Sequence, residues 1–210
     1  MTKLSREPLR PASSGKMTKR ERTRREILAA AIQVMSERGA ARAVVHEIAV
    51  RANVTTGTFY NHFRGKAEIV EAVAGWFSVS MMDQADEARA AMTTGTERMV
   101  DGCQRYLSIA RESPKTALLV LELAMASPTM LKAIGEFVLA DVRLGVRQKE
   151  FTIFGEQAAV DLVEGYVMLA MRVIALQRPP ASYERSVVAT ILQGLGVSSQ
   201  RAAALSGSKV

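Results

Sequence analysis

The sequence predicts an all-α protein of about nine helices, with a small N-terminal three-helix unit followed by a larger helical body. Three observations carry this expectation. Apolar residues recur at helical spacing through most of the chain. Gly and Ser-Pro fall where helices would stop and start. The one stretch rich in β-branched and aromatic residues, KEFTIFGE at 149–156, would be a strand with nothing to pair with, so it reads as a packed connection.

The first 17 residues carry Pro8, Pro11, Ser13, Ser14 and Gly15 and read as a flexible basic arm. The first helix is expected from Thr18 to Arg38. Ile27, Ala30, Ala31, Val34 and Met35 form its apolar stripe, Arg20 and Arg24 lie opposite, and Gly39 is a left-handed stop. Two short helices follow, at about Val45–Ala52 and Thr56–Phe63, joined by a turn at Asn53-Val54. After Gly65 a long helix runs from Lys66 to about Ala91, and Thr93-Thr94-Gly95-Thr96 marks the next turn. Ser113-Pro114 and Ser127-Pro128 each place Ser at a cap and Pro at the first helical position, opening helices at about 114–126 and 128–148. A long helix at 156–177 ends before Pro179-Pro180, and another runs from Ser182 to Gln193. Residues 201–210 read as a frayed tail.

Charge divides the chain. Residues 1–66 hold 14 basic and 5 acidic side chains, a net +9, whereas the remainder is −2. A basic end on a near-neutral body points to a polyanion partner at that end and a separate task for the rest. One cysteine, Cys103, excludes a disulfide framework or paired-cysteine zinc site. The two histidines, His46 and His62, have no carboxylate beside them, so no metal or other cofactor is expected. The apolar stretches are interrupted by Glu122, Glu164 and Arg172, and no secretory signal is legible, so a cytoplasmic protein without a membrane partner is expected. No phosphate loop, nucleophile elbow or set of nucleophile, base and orienting group is present, which argues against an enzyme.

The informative stretch is residues 43–70, AVVHEIAVRANVTTGTFYNHFRGKAEIV. Ile48 and the small Ala49 face inward on the first short helix, Val54 plugs the turn, and Asn53 tolerates positive φ there. Phe59 and Phe63, four apart, turn toward the core. Thr56, Gly57, Thr58, Tyr60, Asn61 and His62 are left facing outward. This compact polar face without acidic groups suits the major groove. Thr55 is the expected cap, with free N–H groups behind it for a phosphate.

This stretch resembles the helix-turn-helix of TetR-type transcriptional regulators. The resemblance rests on Ile48-Ala49, Ala52-Asn53-Val54 and the ungapped run from Thr55 to Lys66, TTGTFYNHFRGK. It implies phosphate contacts from Tyr60, Lys66 and Thr56, and base or groove contacts from Gly57, Thr58, Asn61 and His62. His46 matches a position that often holds a DNA-contacting residue; the plain alternative is an exposed histidine. The sequence departs from the pattern at Ala43-Val44, where members often carry a capping hydroxyl.

The resemblance further implies a body, residues 67–200, that binds a ligand and pairs two copies. Candidate pocket residues are Trp76, Phe77, Met81, Cys103 and Tyr106, with Leu107, Glu122, Met125, Phe137 and Tyr166. Such Met-rich linings suit apolar or amphipathic ligands. Glu122 either faces water or anchors a polar ligand group, and Cys103 reads foremost as a small core residue. The 156–177 helix is apolar on two sides, so a second subunit is expected to cover one of them, through Val160, Val163, Val167 and Met171, with Val188, Ile191, Leu192 and Leu195 of the last helix. The alternative is a thick monomeric core. The expected function is a dimeric repressor that binds a near-palindromic operator in double-stranded DNA and is released by a small, mostly apolar effector. The alternative is a DNA-binding protein on the same scaffold, controlled by a protein partner or acting on the nucleoid or cell division.

Overall fold

The computed structural model describes residues 17–207, the side chains of residues 84–87 apart. The basic arm at 1–16 and residues 208–210 lie outside the described residues. Ten helices account for the described chain: α1 (Lys19–Arg38), α2 (Val45–Arg51), α3 (Thr56–Tyr60), α4 (Lys66–Arg89), α5 (Gly95–Glu112), α6 (Pro114–Ala126), α7 (Pro128–Arg147), α8 (Glu156–Gln177), α9 (Ser182–Gly194) and α10 (Ser199–Ser206).

Helix starts follow local chemistry. Thr18 and Glu21 form a reciprocal capping box at α1, and Thr94 and Glu97 form another at α5. Pro occupies the first position of both α6 and α7, where its missing N–H leaves no bond unmade. The two serines before these prolines behave differently. Ser127 is fully buried, accepts from the Met130 N–H at 3.1 Å and donates to Glu71 at 2.6 Å. Ser113 makes no cap bond; its hydroxyl pairs with that of Thr116 at 2.7 Å. The helix stops also use special backbone geometry. Gly39 ends α1 at φ 84° and Arg178 ends α8 in the left-handed region, just before Pro179-Pro180.

In the body, α8 packs against α5, α6, α7 and α9, while α1 holds α2, α4 and α6. The start of α5 lies directly on the end of α7. A Cβ on Gly95 would come within 2.3 Å of the Gly145 backbone, and one on Gly145 within 2.2 Å of the Phe151 ring. Residues 149–155 form a connection without regular structure, as expected from sequence, but only part of it is packed: Phe151 is buried, whereas Phe154 is fully exposed.

The C-terminal expectation is corrected. Residues 199–206 are helical, not frayed, and α10 lies on α9 with Ala202, Ala203 and Ser206 buried. Docking of a small-residue face stabilises a helix whose own periodicity is weak. No single described helix is long and apolar enough to cross a membrane.

Candidate nucleic-acid interface and ligand cavity

The α2–turn–α3 unit is built from its buried anchors outward. Ile48, Ala49, Phe59 and Phe63 are almost wholly inaccessible, and the two phenylalanine rings lie 5.7 Å apart. Asn53 takes φ 54° in the turn, and the Val54 N–H closes back onto the Ala49 carbonyl at 3.0 Å. Thr55 caps α3, accepting from the Thr58 N–H at 3.0 Å. By contrast, Val44 starts α2 with no side-chain bond, as the missing hydroxyl implies.

With Phe59 and Phe63 turned inward, Gly57, Tyr60 and Asn61 face solvent, and Thr55 and His46 are exposed as well. Tyr60 is 54% exposed, its ring edge-on to Phe59 at 5.5 Å. Thr56, Thr58, His62 and Lys66 are half-buried. The Thr58 hydroxyl is engaged with that of Thr55 at 2.9 Å, and the Lys66 ammonium donates to the Ala41 carbonyl. Lys66 thus also ties α4 to the loop between α1 and α2.

Sequence reasoning missed the part played by Arg24. Its guanidinium sits 4.1 Å over the Phe63 ring and donates to the His62 carbonyl at 2.8 Å, bracing α3 against α1. A bidentate Arg51–Glu37 pair at 2.9 Å and an Arg38–Glu47 pair at 2.8 Å join α1 to α2. Arg20, Arg22 and Arg64 remain exposed on this end.

Behind this unit, α4 to α8 line a cavity of about 80 Å³ that opens to solvent. Of the expected lining, Met81, Cys103, Tyr106 and Phe137 are there. Leu107 and Phe77 are buried in the core instead, and Trp76 and Tyr166 are half-buried outside the lining. Met125 is 78% exposed. Glu122 points away from the cavity: its carboxylate accepts from the Ala40 N–H at 2.5 Å and crowds Gly39, clasping α6 to the end of α1. These six expectations are corrected by the direction in which each helix face turns.

Further methionines, Met82, Met99, Met130, Met168 and Met171, complete the apolar wall. Three charged groups also reach it: Arg89, Arg105 and Glu164. Arg89 pairs with buried Asp141 and stacks 3.2 Å over Phe137. Burial holds the Asp141 carboxyl above its usual range despite Arg89. Arg105 pairs with Asp101 at 2.7 Å. Burial, and next the Asp141 charge, push the Cys103 thiol up to about 12, so it sits as an inert apolar group. Among the described residues no group of three His, Cys, Asp or Glu side chains gathers to hold a metal ion.

The expected pairing stripe is covered within the chain. Val160, Val163, Val167 and Met171 of α8, and Val188, Ile191, Leu192 and Leu195 of α9, are all no more than 8% exposed within the single chain. Side chains already covered cannot meet a second copy. The open face of α8 carries Leu162, Gly165, Leu169, Arg172 and Leu176.

The family of bacterial regulatory proteins named tetR matches residues 27–73, the stretch from the middle of α1 into α4. Over this stretch the chain is similar to the TetR family. Similar curated relatives are described as helix-turn-helix regulators of transcription. TtgR of Pseudomonas putida is 36% identical over 41% of this chain and 40% of its own length. SrpR of the same species is 43% identical over a quarter of each chain. The repressor BepR of Brucella suis is 45% identical over a quarter of each. These alignments span well under two thirds of the relatives' length. Likeness of fold extends further. The structure of RolR in complex with resorcinol superposes with a TM-score of 0.74, at 22% identity, over 91% of this chain and 96% of RolR. FadR of Bacillus subtilis in complex with stearoyl-CoA gives 0.70 at 18% identity, over 80% and 97%.

Proposed function

We propose that the chain is a dimeric transcriptional repressor whose two α3 helices read a near-palindromic operator in double-stranded DNA, and which a small, mostly apolar effector releases. The exposed face of Gly57, Tyr60 and Asn61 on a helix anchored by Phe59 and Phe63 carries the reading. This face bears no carboxylate, and the flanking arginines supply positive potential. Residues 18–66 would meet the duplex, with Tyr60 and Lys66 on phosphates, while the rest senses and pairs. Two α3 helices spaced about 34 Å apart would enter successive major grooves. An intracellular, cytoplasmic location follows from that partner.

The cavity supports a small-molecule signal over a protein one. The complexes of RolR with resorcinol and of FadR with stearoyl-CoA lend weight to an effector, and the name of BepR to repression. Helix α4 begins at Lys66 beside the DNA-facing unit and reaches the cavity at Met81, Met82 and Arg89. A ligand that favours one α4 position shifts operator affinity by its own difference in affinity for the two states. Pairing is assigned to the open face of α8, where Leu162, Leu169 and Leu176 lie seven residues apart.

A gel-shift titration against the DNA upstream of the chain's own coding sequence tests the reading. Tyr60→Phe alone weakens binding, and adding Lys66→Ala abolishes specific binding, while the thermal midpoint of Tyr60→Phe stays that of the parent. Unchanged affinity in the double variant discards the α3 assignment. Sedimentation of Leu169→Arg, expected to be monomeric, tests the pairing face.

A further inference from the structure

Residues 39–44 carry the chain from α1 into α2. Within this loop the Gly39 N–H closes onto the Met35 carbonyl, and the Ala43 N–H onto the Gly39 carbonyl. Two groups between them are answered from the body instead. The Ala40 N–H donates to the Glu122 carboxylate of α6 at 2.5 Å, and the Ala41 carbonyl accepts from the Lys66 ammonium at the start of α4. Ala40 is itself buried, so losing Glu122 would leave its N–H with little access to water as a substitute. Helix α2 then begins after Val44 without a side-chain cap. Its start is therefore placed by what holds the loop, not by a cap of its own.

The fit is close. A Cβ added to Gly39, at φ 84°, would meet the two Glu122 carboxylate oxygens at 2.9 and 3.0 Å, so the carboxylate lies directly on the loop backbone. The Arg38–Glu47 and Arg51–Glu37 pairs tie α2 to α1, inside the helix-turn-helix unit. The Glu122 bond crosses from that unit to the body, where α1 packs on α6. Val120, Leu121 and Ala124 of the same α6 line the cavity. One helix thus presents an apolar side to the cavity and a carboxylate to the loop that opens α2.

We propose that Glu122 is a positioning residue for operator binding. It fixes the start of α2, and through it α3, to the cavity wall, so that a shift of α6 reaches the helix-turn-helix unit directly as well as by way of α4. Lengthening the bond by about 1 Å takes the pair to the edge of hydrogen-bond range, so a small displacement of α6 decides whether the contact is made. This rests on the operator reading above and adds a second path of control to it.

The test uses the full chain and the DNA of the gel shift above, with no ligand. Glu122→Ala is expected to weaken operator binding about fivefold, the ratio one hydrogen bond supplies, whereas Glu122→Gln, which keeps an acceptor, stays within about twofold of the parent. Loss of one such bond leaves the folded population nearly complete, so weaker binding by the folded chain reports position, and a melting curve of each variant checks that state. Leu121→Trp fills the cavity from α6 and is expected to change operator affinity in the parent but much less in the Glu122→Ala background. Leu121→Phe serves should the tryptophan variant fold poorly. Parental affinity in Glu122→Ala, equal losses in the alanine and glutamine variants, or a Leu121 effect of the same size in both backgrounds, zero included, overturns the proposal. Failure of the operator reading has a separate signature: neither parent nor variant binds the DNA, yet amide exchange at Ala40 and Ile48 is faster in Glu122→Ala while that of α8 is unchanged. Parental exchange at both positions overturns the proposal as well.

Discussion

The helix-turn-helix unit and the cavity are held together in opposite ways. Helix α3 is a five-residue turn, and nearly everything that orients it lies within a few positions: the Thr55 cap, the Asn53 turn and the inward Phe59 and Phe63. Arg24 also reaches it from far along the chain. The cavity draws its wall from five helices, between Ser78 and Met171, and one of its two charge pairs, Arg89–Asp141, joins two of them. A short helix carrying recognition groups thus depends on two or three deep anchors. A cavity depends on the spacing between helices, which close contacts such as Gly95 on Gly145 maintain.

Substitutions can break this contrast. The largest effect is expected from Phe59→Ala, which empties a fully buried site and costs about 3–5 kcal/mol. Denaturant unfolding should show this loss together with loss of DNA binding, whereas Tyr60→Phe loses affinity at parental stability. Should both variants retain parental stability, the anchors would not be what orients α3. Asp141→Ala strands the Arg89 guanidinium in the body and is expected to cost about 3 kcal/mol, with operator binding retained at low temperature. Gly145→Ala forces apart α7 and the Phe151 ring, for about 1–3 kcal/mol, and tests whether helix spacing governs the cavity by weakening any probe that binds there. Glu122→Ala deletes the bond to Ala40 at the boundary between the two regions, with a loss of about 1 kcal/mol in the unfolding midpoint analysis.

The smallest effect is one of pH. Burial alone would raise the Glu150 carboxyl, but bonds from Thr96 and Arg201 outweigh it and hold the group below its ordinary value. A lowered carboxylate contributes stability above its unfolded pKa and loses it as pH falls through the folded one. Glu150→Gln should therefore narrow the gap in melting temperature between neutral and acidic solution. An identical acid profile in parent and variant would leave α10 without this anchor.

The helix-turn-helix is legible in the sequence because its determinants are contiguous: the face of α3 follows from Phe59 and Phe63 alone. The cavity is legible only where a helix face happens to be read correctly. On α4, Met81 lines it, whereas Phe77, one turn earlier, sits in the core below it. Glu122 stands out in sequence as costly if unpartnered, but its partner, the Ala40 N–H, lies 82 residues away and no local pattern announces it. On α8 both apolar sides look alike in sequence. Which one α5, α6 and α7 cover is a property of packing, and the side bearing Val163 and Val167 is taken by the chain itself. The short α10 carries few large apolar residues, so only its docking on α9 distinguishes it from a tail.

The stack of Gly95, Gly145 and Phe151 leaves this junction almost no room for evolutionary drift. A methyl group on either glycine collides with main chain or an aromatic ring, not with a side chain free to swing away. Substitutions elsewhere around the cavity are expected to be tolerated more readily than any side chain at these two positions.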